Sequence, residues 1–178
     1  MSIDSILTVE NQHLMLLGPE EAVSFFRELL CAEAASIGVA TSLINVPTAI
    51  TVADGGIDAQ VRDVQVSGGQ GIIKQGLTRY QIKTGDFNLG QARYVKEILF
   101  RPESTELRAR VQSCLDKDGT LIIVLFGWDG PEREDEQILE KFRKHLVSVN
   151  PAYRSARIEV WQQNHLINFL RPFPAVVY

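Results

Sequence analysis

The sequence predicts an α/β domain with a mixed central sheet flanked by helices. Segments of helical apolar periodicity alternate along the chain with short strand-like ones, in the order helix, three strands, helices, strand, helix, strand, helix. One of the strand-like segments, Thr120 to Phe126, is a continuous apolar run. That is the pattern of a central strand covered on both faces. The chain has 178 residues, 45% hydrophobic and 22% charged, enough for one domain with a full core.

The first long helix is predicted over Pro19 to Ile37. Proline and two glutamates (Glu20, Glu21) occupy its opening turn, Phe26, Leu29, Leu30, Ala34 and Ile37 form its apolar line, and Gly38 stops it. Thr48 to Val52 reads as a short strand, followed by an Asp54-Gly55-Gly56 turn. Ile57 to Val66 alternates as a strand, Ser67 to Gly71 is a glycine-rich hairpin tip, and Leu77 to Thr84 returns as the third strand. Asn88 caps a helix reaching about Phe100, with Leu89, Ala92, Val95 and Leu99 on one side. A further helix over Glu103 to Leu115 carries Leu107, Val111, Cys114 and Leu115. Pro131 opens a helix acidic at its start (Glu132, Glu134, Asp135) and basic later (Lys141, Arg143, Lys144), an order that suits the helix dipole. Arg157 to Trp161 is the last strand and Gln163 to Leu170 the last helix. The whole chain, 1–178, reads as a single domain, with a core over about 19–126 and a C-terminal decoration over 127–178.

Composition excludes several classes. Met1 to Asn11 lacks the basic start and apolar run of a signal peptide, and no apolar stretch is long enough to span a bilayer, so no membrane partner is expected. Cys31 and Cys114 are isolated and read as reduced thiols of a cytoplasmic protein. His13, His145 and His165 do not cluster with one another or with a serine or cysteine, which argues against a catalytic triad. The Gly68 to Gly71 segment lacks the Lys-Ser/Thr of a phosphate-binding loop. The net charge of −4 requires any nucleic-acid contact to use a local basic surface, for which Lys74, Arg79, Arg93, Lys96 and Arg101 are the candidates. The plain alternative is a solvated face.

The chemistry concentrates in two strands. Residues two apart on a strand share a face. Asp58, Gln60 and Arg62 are therefore expected on one face, opposite Ile57, Ala59 and Val61, and Arg79, Gln81 and Lys83 on one face of the next strand, opposite Tyr80 and Ile82. Asp58 offers an anionic oxygen, Gln81 a neutral amide oxygen, and the Ile82 carbonyl a further oxygen, a donor set that suits a hard cation such as Mg²⁺, with Mn²⁺ as a substitute. Lys83 can orient a water and stabilise developing phosphorane charge. Glu33 falls on the core stripe of the first helix, where an acid is expensive unless paired or metal-bound, and could add a second charge to the set. Alone, each motif also reads as an ordinary solvated turn or strand face. Their joint occurrence in this order favours a site.

The arrangement resembles the PD-(D/E)xK nuclease superfamily, in its restriction-endonuclease-like, Mrr-type branch. Gly55-Gly56-Ile57-Asp58 is similar to that family's Gly-Gly-x-Asp strand, Gln81-Ile82-Lys83 to its (D/E/Q)xK strand, and the element order to its α-β-β-β-α-β core. The resemblance implies a Mg²⁺-dependent endonuclease acting on double-stranded DNA by direct water attack. Asp58 and Gln81 would be metal ligands and Lys83 the catalytic lysine. The helix acid of the family corresponds to Glu28 or Glu33, and helical phase favours Glu33. The closing segment, Arg157 to Trp161 with His165-Leu166-Ile167, is similar to the tail of nuclease domains fused to large bacterial STAND-type NTPases. That implies an effector in anti-phage defence, excised from a larger protein and acting as a homo-oligomer or with fused sensor and NTPase domains. The competing expectation is a catalytically silent module of the same fold, used for DNA binding or assembly.

Overall fold

The structure, a computed structural model, describes residues 11–47, 57–65, 71–85, 92–128 and 132–177. Five strands form one sheet in the order β1-β2-β3-β4-β5: β1 (Ile44–Asn45), β2 (Ala59–Val64), β3 (Gly76–Lys83), β4 (Thr120–Leu125) and β5 (Arg157–Trp161). The sheet is mixed. The pairs β1–β2 and β2–β3 are antiparallel, whereas β3–β4 and β4–β5 are parallel. Six α-helices accompany it among the described residues: α1 (Asn11–Met15), α2 (Pro19–Ser36), α3 (Ala92–Leu99), α4 (Ala109–Leu115), α5 (Glu132–Val149) and α6 (Gln163–Leu170). The expected α/β class with a mixed sheet is observed.

Helices α3 and α4 connect β3 to β4, and α5 connects β4 to β5. Both crossovers step the same way across the sheet, so a common crossover hand puts their helices on one face. There Val95, Ile98, Val111, Phe142 and Leu146 pack on Leu121, Ile123 and Leu125. The opposite face carries Phe26, Leu29 and Leu30 of α2 and Leu166 and Leu170 of α6 against Tyr80, Ile122 and Val124. Every residue of β4 is buried, the reason its sequence is apolar without alternation.

Helix α2 shows how sequence fixes an element. Pro19 occupies its first turn, Oε2 of Glu21 accepts the Gly18 amide at 2.9 Å, and of the predicted apolar line Phe26, Leu29, Leu30 and Ala34 are fully buried, whereas Ile37, past the last turn, is exposed. Beyond the helix, Gly38 takes φ +71°, the left-handed conformation that lets the Val39 amide return to the Ala34 carbonyl at 2.8 Å.

The segment read as the domain's C-terminal decoration contributes to both cores. Trp161, Leu166 and Leu170 complete one core and Ile138, Phe142, Leu146 and Val160 the other, because β5 is hydrogen-bonded to β4. The expected helix over Glu103 to Leu115 begins only at Ala109. Before it, Glu103 adopts φ +53°, and the Arg108 amide bonds the Leu99 carbonyl, closing a loop on a Phe100–Leu107 bridge. The sequence reading missed β1 and α1. The Thr48 to Val52 strand, the Asp54-Gly55-Gly56 turn, residues 67–70 of the hairpin tip and the Asn88 cap lie outside the described residues.

Candidate functional site

The predicted strand parity holds in β3. Arg79, Gln81 and Lys83 pair across to Leu121, Ile123 and Leu125, the β4 residues whose side chains face α3, α4 and α5. Tyr80 faces the other way. It packs on Phe26 and Trp161 with ring centroids 5.0 and 6.0 Å apart, and its hydroxyl donates to the Ile72 carbonyl at 2.6 Å. Burial pushes its pKa well above the ordinary tyrosine value, so it is a packing residue.

Parity fails at the start of β2. Ile57 packs with the cluster beneath α3 and α4, whereas Ala59 and Val61 belong to the α2 side. Asp58 sits between them at a bend just before the strand, so its side chain does not follow the alternation of a regular strand. Its amide donates to the Tyr80 carbonyl at 2.9 Å, and its Oδ2 accepts the Ile82 amide at 2.7 Å. The carboxylate is thereby fixed against β3 at the residue between Gln81 and Lys83. The N–H and C=O of a strand residue point to the same side, which puts the Ile82 carbonyl on the Asp58 side of β3 too.

Gln81 is 2% exposed, and its Oε1 is a buried oxygen without a hydrogen-bond partner. Such an acceptor normally costs about 1–3 kcal/mol. A divalent cation is one partner that would satisfy such an oxygen. Asp58, Gln81 and the Ile82 carbonyl are all hard oxygen donors and fit Mg²⁺, which takes one or two carboxylates and keeps several waters. Among the described residues no group of three or more His, Cys, Asp or Glu could hold a metal ion.

Lys83 ends β3 with its ammonium 3.8 Å from Oε1 of Glu97 on α3. The Lys83 carbonyl accepts the Phe126 amide at 2.9 Å, and just beyond, Gly85 and Gly127 approach so closely that a Cβ on Gly127 would lie 2.0 Å from the Gly85 oxygen. The backbone on which Lys83 stands is therefore held on its β4 side. Sequence reasoning missed Glu97, an exposed helical acid with no local pattern to mark it.

Glu33 does not join the group. It is buried, as its helical phase predicts, but its two carboxylate oxygens accept the amides of Ile72 and Ile73 at 2.9 and 2.7 Å. Those contacts, the nearby Tyr80 and the surrounding α2 core put it on the face away from Gln81 and Lys83. Burial raises its pKa above the usual carboxylate range against the lowering effect of the two amides and Lys74. The alternative acid, Glu28, is exposed and lies 3.5 Å from Arg27. The expected basic cluster also divides. Arg79 is buried, its Nη1 donating to the Arg110 carbonyl, and Lys74 pairs with Glu159 at 3.1 Å over the Trp161 ring, whereas Arg93, Lys96 and Arg101 are exposed together. Cys31 and Cys114 are free thiols, and burial pushes Cys114 up to about 11.

No family model, curated protein or solved structure matches the chain. The fold and the site geometry define an α/β domain with a carboxylate, a buried amide oxygen and a lysine gathered on adjacent strands. No helix among the described residues is long and apolar enough to cross a membrane.

Proposed function

We propose that this domain is a metal-dependent deoxyribonuclease of restriction-endonuclease-like fold, hydrolysing phosphodiester bonds of double-stranded DNA. The observation that carries the reading is the unpartnered Oε1 of Gln81, two residues before Lys83 and one before Ile82, whose amide the Asp58 carboxylate accepts. The chain order gives further support: α2, an antiparallel β1–β2–β3 meander, helices α3 and α4, then β4 parallel to β3 follow the α-β-β-β-α-β sequence of such enzymes.

Asp58, Gln81 and the Ile82 carbonyl would hold the cation, with Mn²⁺ as a substitute for Mg²⁺. A bound divalent cation polarises the phosphate and makes water a stronger nucleophile. Lys83 acts from the same strand face. Its ammonium donates to a non-bridging phosphate oxygen or to the attacking water, opposing the charge that develops at phosphorus. Glu97, close to that ammonium, limits where it points. The Ile82 amide holds the Asp58 carboxylate in place, so little reorganisation is needed when substrate arrives. A role as the effector of a phage-defence assembly fits this chemistry, with activation supplied by oligomerisation.

The test is plasmid cleavage in Mg²⁺, Mn²⁺ or EDTA by the wild type, Asp58→Ala and Lys83→Ala, with the protein also cross-linked into oligomers. Cleavage that needs the cation and falls at least 100-fold in both variants is expected, in line with the loss of an electrostatic or proton-transfer group. Cleavage surviving both substitutions would overturn the assignment. No cleavage in any form, with DNA binding retained, would favour a silent DNA-binding module.

A further inference from the structure

Beside Lys83 the surface opens into a groove of about 700 Å³ whose lining includes Arg93, Lys96, Glu97, Arg101, Glu103 and Arg108. Four of those six side chains are cationic, in a chain whose net charge is −4. Arg93 and Lys96 stand one turn apart on α3, on neighbouring positions of one helix surface. Arg101 and Arg108 come from the loop that follows. That loop is built firmly: the Arg101 amide bonds the Glu106 carbonyl at 3.0 Å, the Arg108 amide bonds the Leu99 carbonyl at 2.8 Å, and Leu107 is buried beneath it.

Individual side chains are held as well. The Arg93 guanidinium lies 4.6 Å from the Tyr94 ring centre and donates to the Tyr94 hydroxyl at 2.8 Å. Arg108 Nε donates to the Glu97 carbonyl at 3.0 Å, and Arg101 pairs with Glu106 at 3.0 Å. Glu97 lines the groove and also reaches Lys83, so groove and candidate site share a wall. An open, charged groove of this kind suits a linear polyanion better than a small molecule, for which pockets are enclosed and mostly apolar.

We infer that this groove is the track for the DNA phosphate backbone leading to Lys83, with Arg93, Lys96, Arg101 and Arg108 as phosphate contacts and Glu97 as the repulsive residue at its junction with the site. The inference rests on the nuclease reading for the identity of the polyanion. It explains how an acidic domain engages DNA: the cations are gathered where the phosphates must pass.

Binding of a labelled 30-base-pair duplex is measured in EDTA, where no cleavage occurs, across a salt series. Lys96→Ala/Arg101→Ala should weaken binding at least 10-fold at low salt and reduce the slope of log affinity against log salt by about 1.8, roughly 0.9 for each lost phosphate contact. Glu97→Gln should tighten binding. A control, Lys117→Ala/Arg171→Ala, removes two exposed cations outside the groove and should leave affinity and slope nearly unchanged. Wild-type affinity and slope in the groove variant, equal losses in the control, or no duplex binding by the wild type would each overturn the inference. Because binding is read without metal, a groove that fails here is distinguishable from a nuclease that fails to cut.

Discussion

Replacing Gln81 by leucine should stabilise the metal-free domain and abolish its metal response. Gln81 is 2% exposed and its Oε1 lacks a partner. The unpaired acceptor holds about 1–3 kcal/mol of desolvation cost that an apolar side chain of similar volume does not carry. Leucine would also pack beside Ile123, its partner across the parallel β3–β4 ladder. Imperfect shape match takes back part of the gain, since side-chain swaps of this kind cost up to about 1.5 kcal/mol. The net expectation is a gain of about 1 kcal/mol, or about 2–4 °C in Tm for a domain of this size.

The assay is urea unfolding in EDTA and again in Mn²⁺. In EDTA the variant should unfold at higher urea with the same slope, meaning that stability changed and the unfolded state did not. In Mn²⁺ the order should narrow or reverse, because a ligand that binds only the folded wild type adds about 2.7 kcal/mol when present at 100 times its dissociation constant. A variant more than about 1 kcal/mol less stable than wild type in EDTA would refute the reasoning. It would mean that the oxygen is already satisfied in solution and that no cation is needed to explain it.

Two further predictions concern the frame around the site. Glu33→Gln should destabilise by about 1–3 kcal/mol, because its NH₂ faces one of the two amide donors of Ile72 and Ile73 that the carboxylate now satisfies. The fold raises the Glu33 pKa, so the native state holds this proton more tightly than the unfolded chain. Wild-type stability from this group is therefore fully present below the ordinary carboxylate pKa and lost as pH rises through the raised one. The Gln penalty, followed by unfolding at pH 4 to 7, should shrink as pH rises, and a penalty that grows would contradict the shift. Gly127→Ala should cost about 2–3 kcal/mol, since its Cβ would meet the Gly85 backbone at 2.0 Å and the ends of β3 and β4 must part. Cleavage by the folded fraction should fall as well, because Gly85 lies two residues beyond Lys83, and an alanine accommodated within 0.5 kcal/mol (about the scatter of neutral surface substitutions) would disprove the contact.

Much of the fold was legible because burial imposes a period. Helix α2, strand β5 and helix α6 end within a residue of their predicted bounds, and the unbroken apolar run marked β4. The pairing of the C-terminal segment was not legible because a period reveals a covered face and not its partner. Ile158 and Val160 alternate as a strand should, yet nothing local says that they add to β4. Leu107, spaced for a helix with Val111, belongs instead to a loop bridged to Phe100, a pairing that spacing alone does not show. Asp58 was nominated by motif, and parity misplaced its side chain, since the alternation rule assumes a regular strand and Asp58 stands at a bend.

Glu33 is the most informative miss. The sequence argument that a buried acid must be compensated was sound, and the compensation is present. It comes from two amides 39 and 40 residues away. A buried oxygen can be satisfied by backbone amides, and that is the way Glu33 takes. On the α2 face, Glu33 and the Tyr80 hydroxyl tie down the backbone at Ile72 and Ile73, and both Glu33 oxygens are paired. On the α3 face, Gln81 keeps an unpaired oxygen, while at the β2 side of β3 the Asp58 carboxylate is tied to the Ile82 amide. An unpaired buried acceptor is costly enough to need a reason, and the proposed cation would supply one. The network on the α2 face anchors the segment entering β3, and β3 carries Gln81 and Lys83 on its other side. Glu33 therefore serves the site through the strand, and substitutions there should act on stability before they act on chemistry.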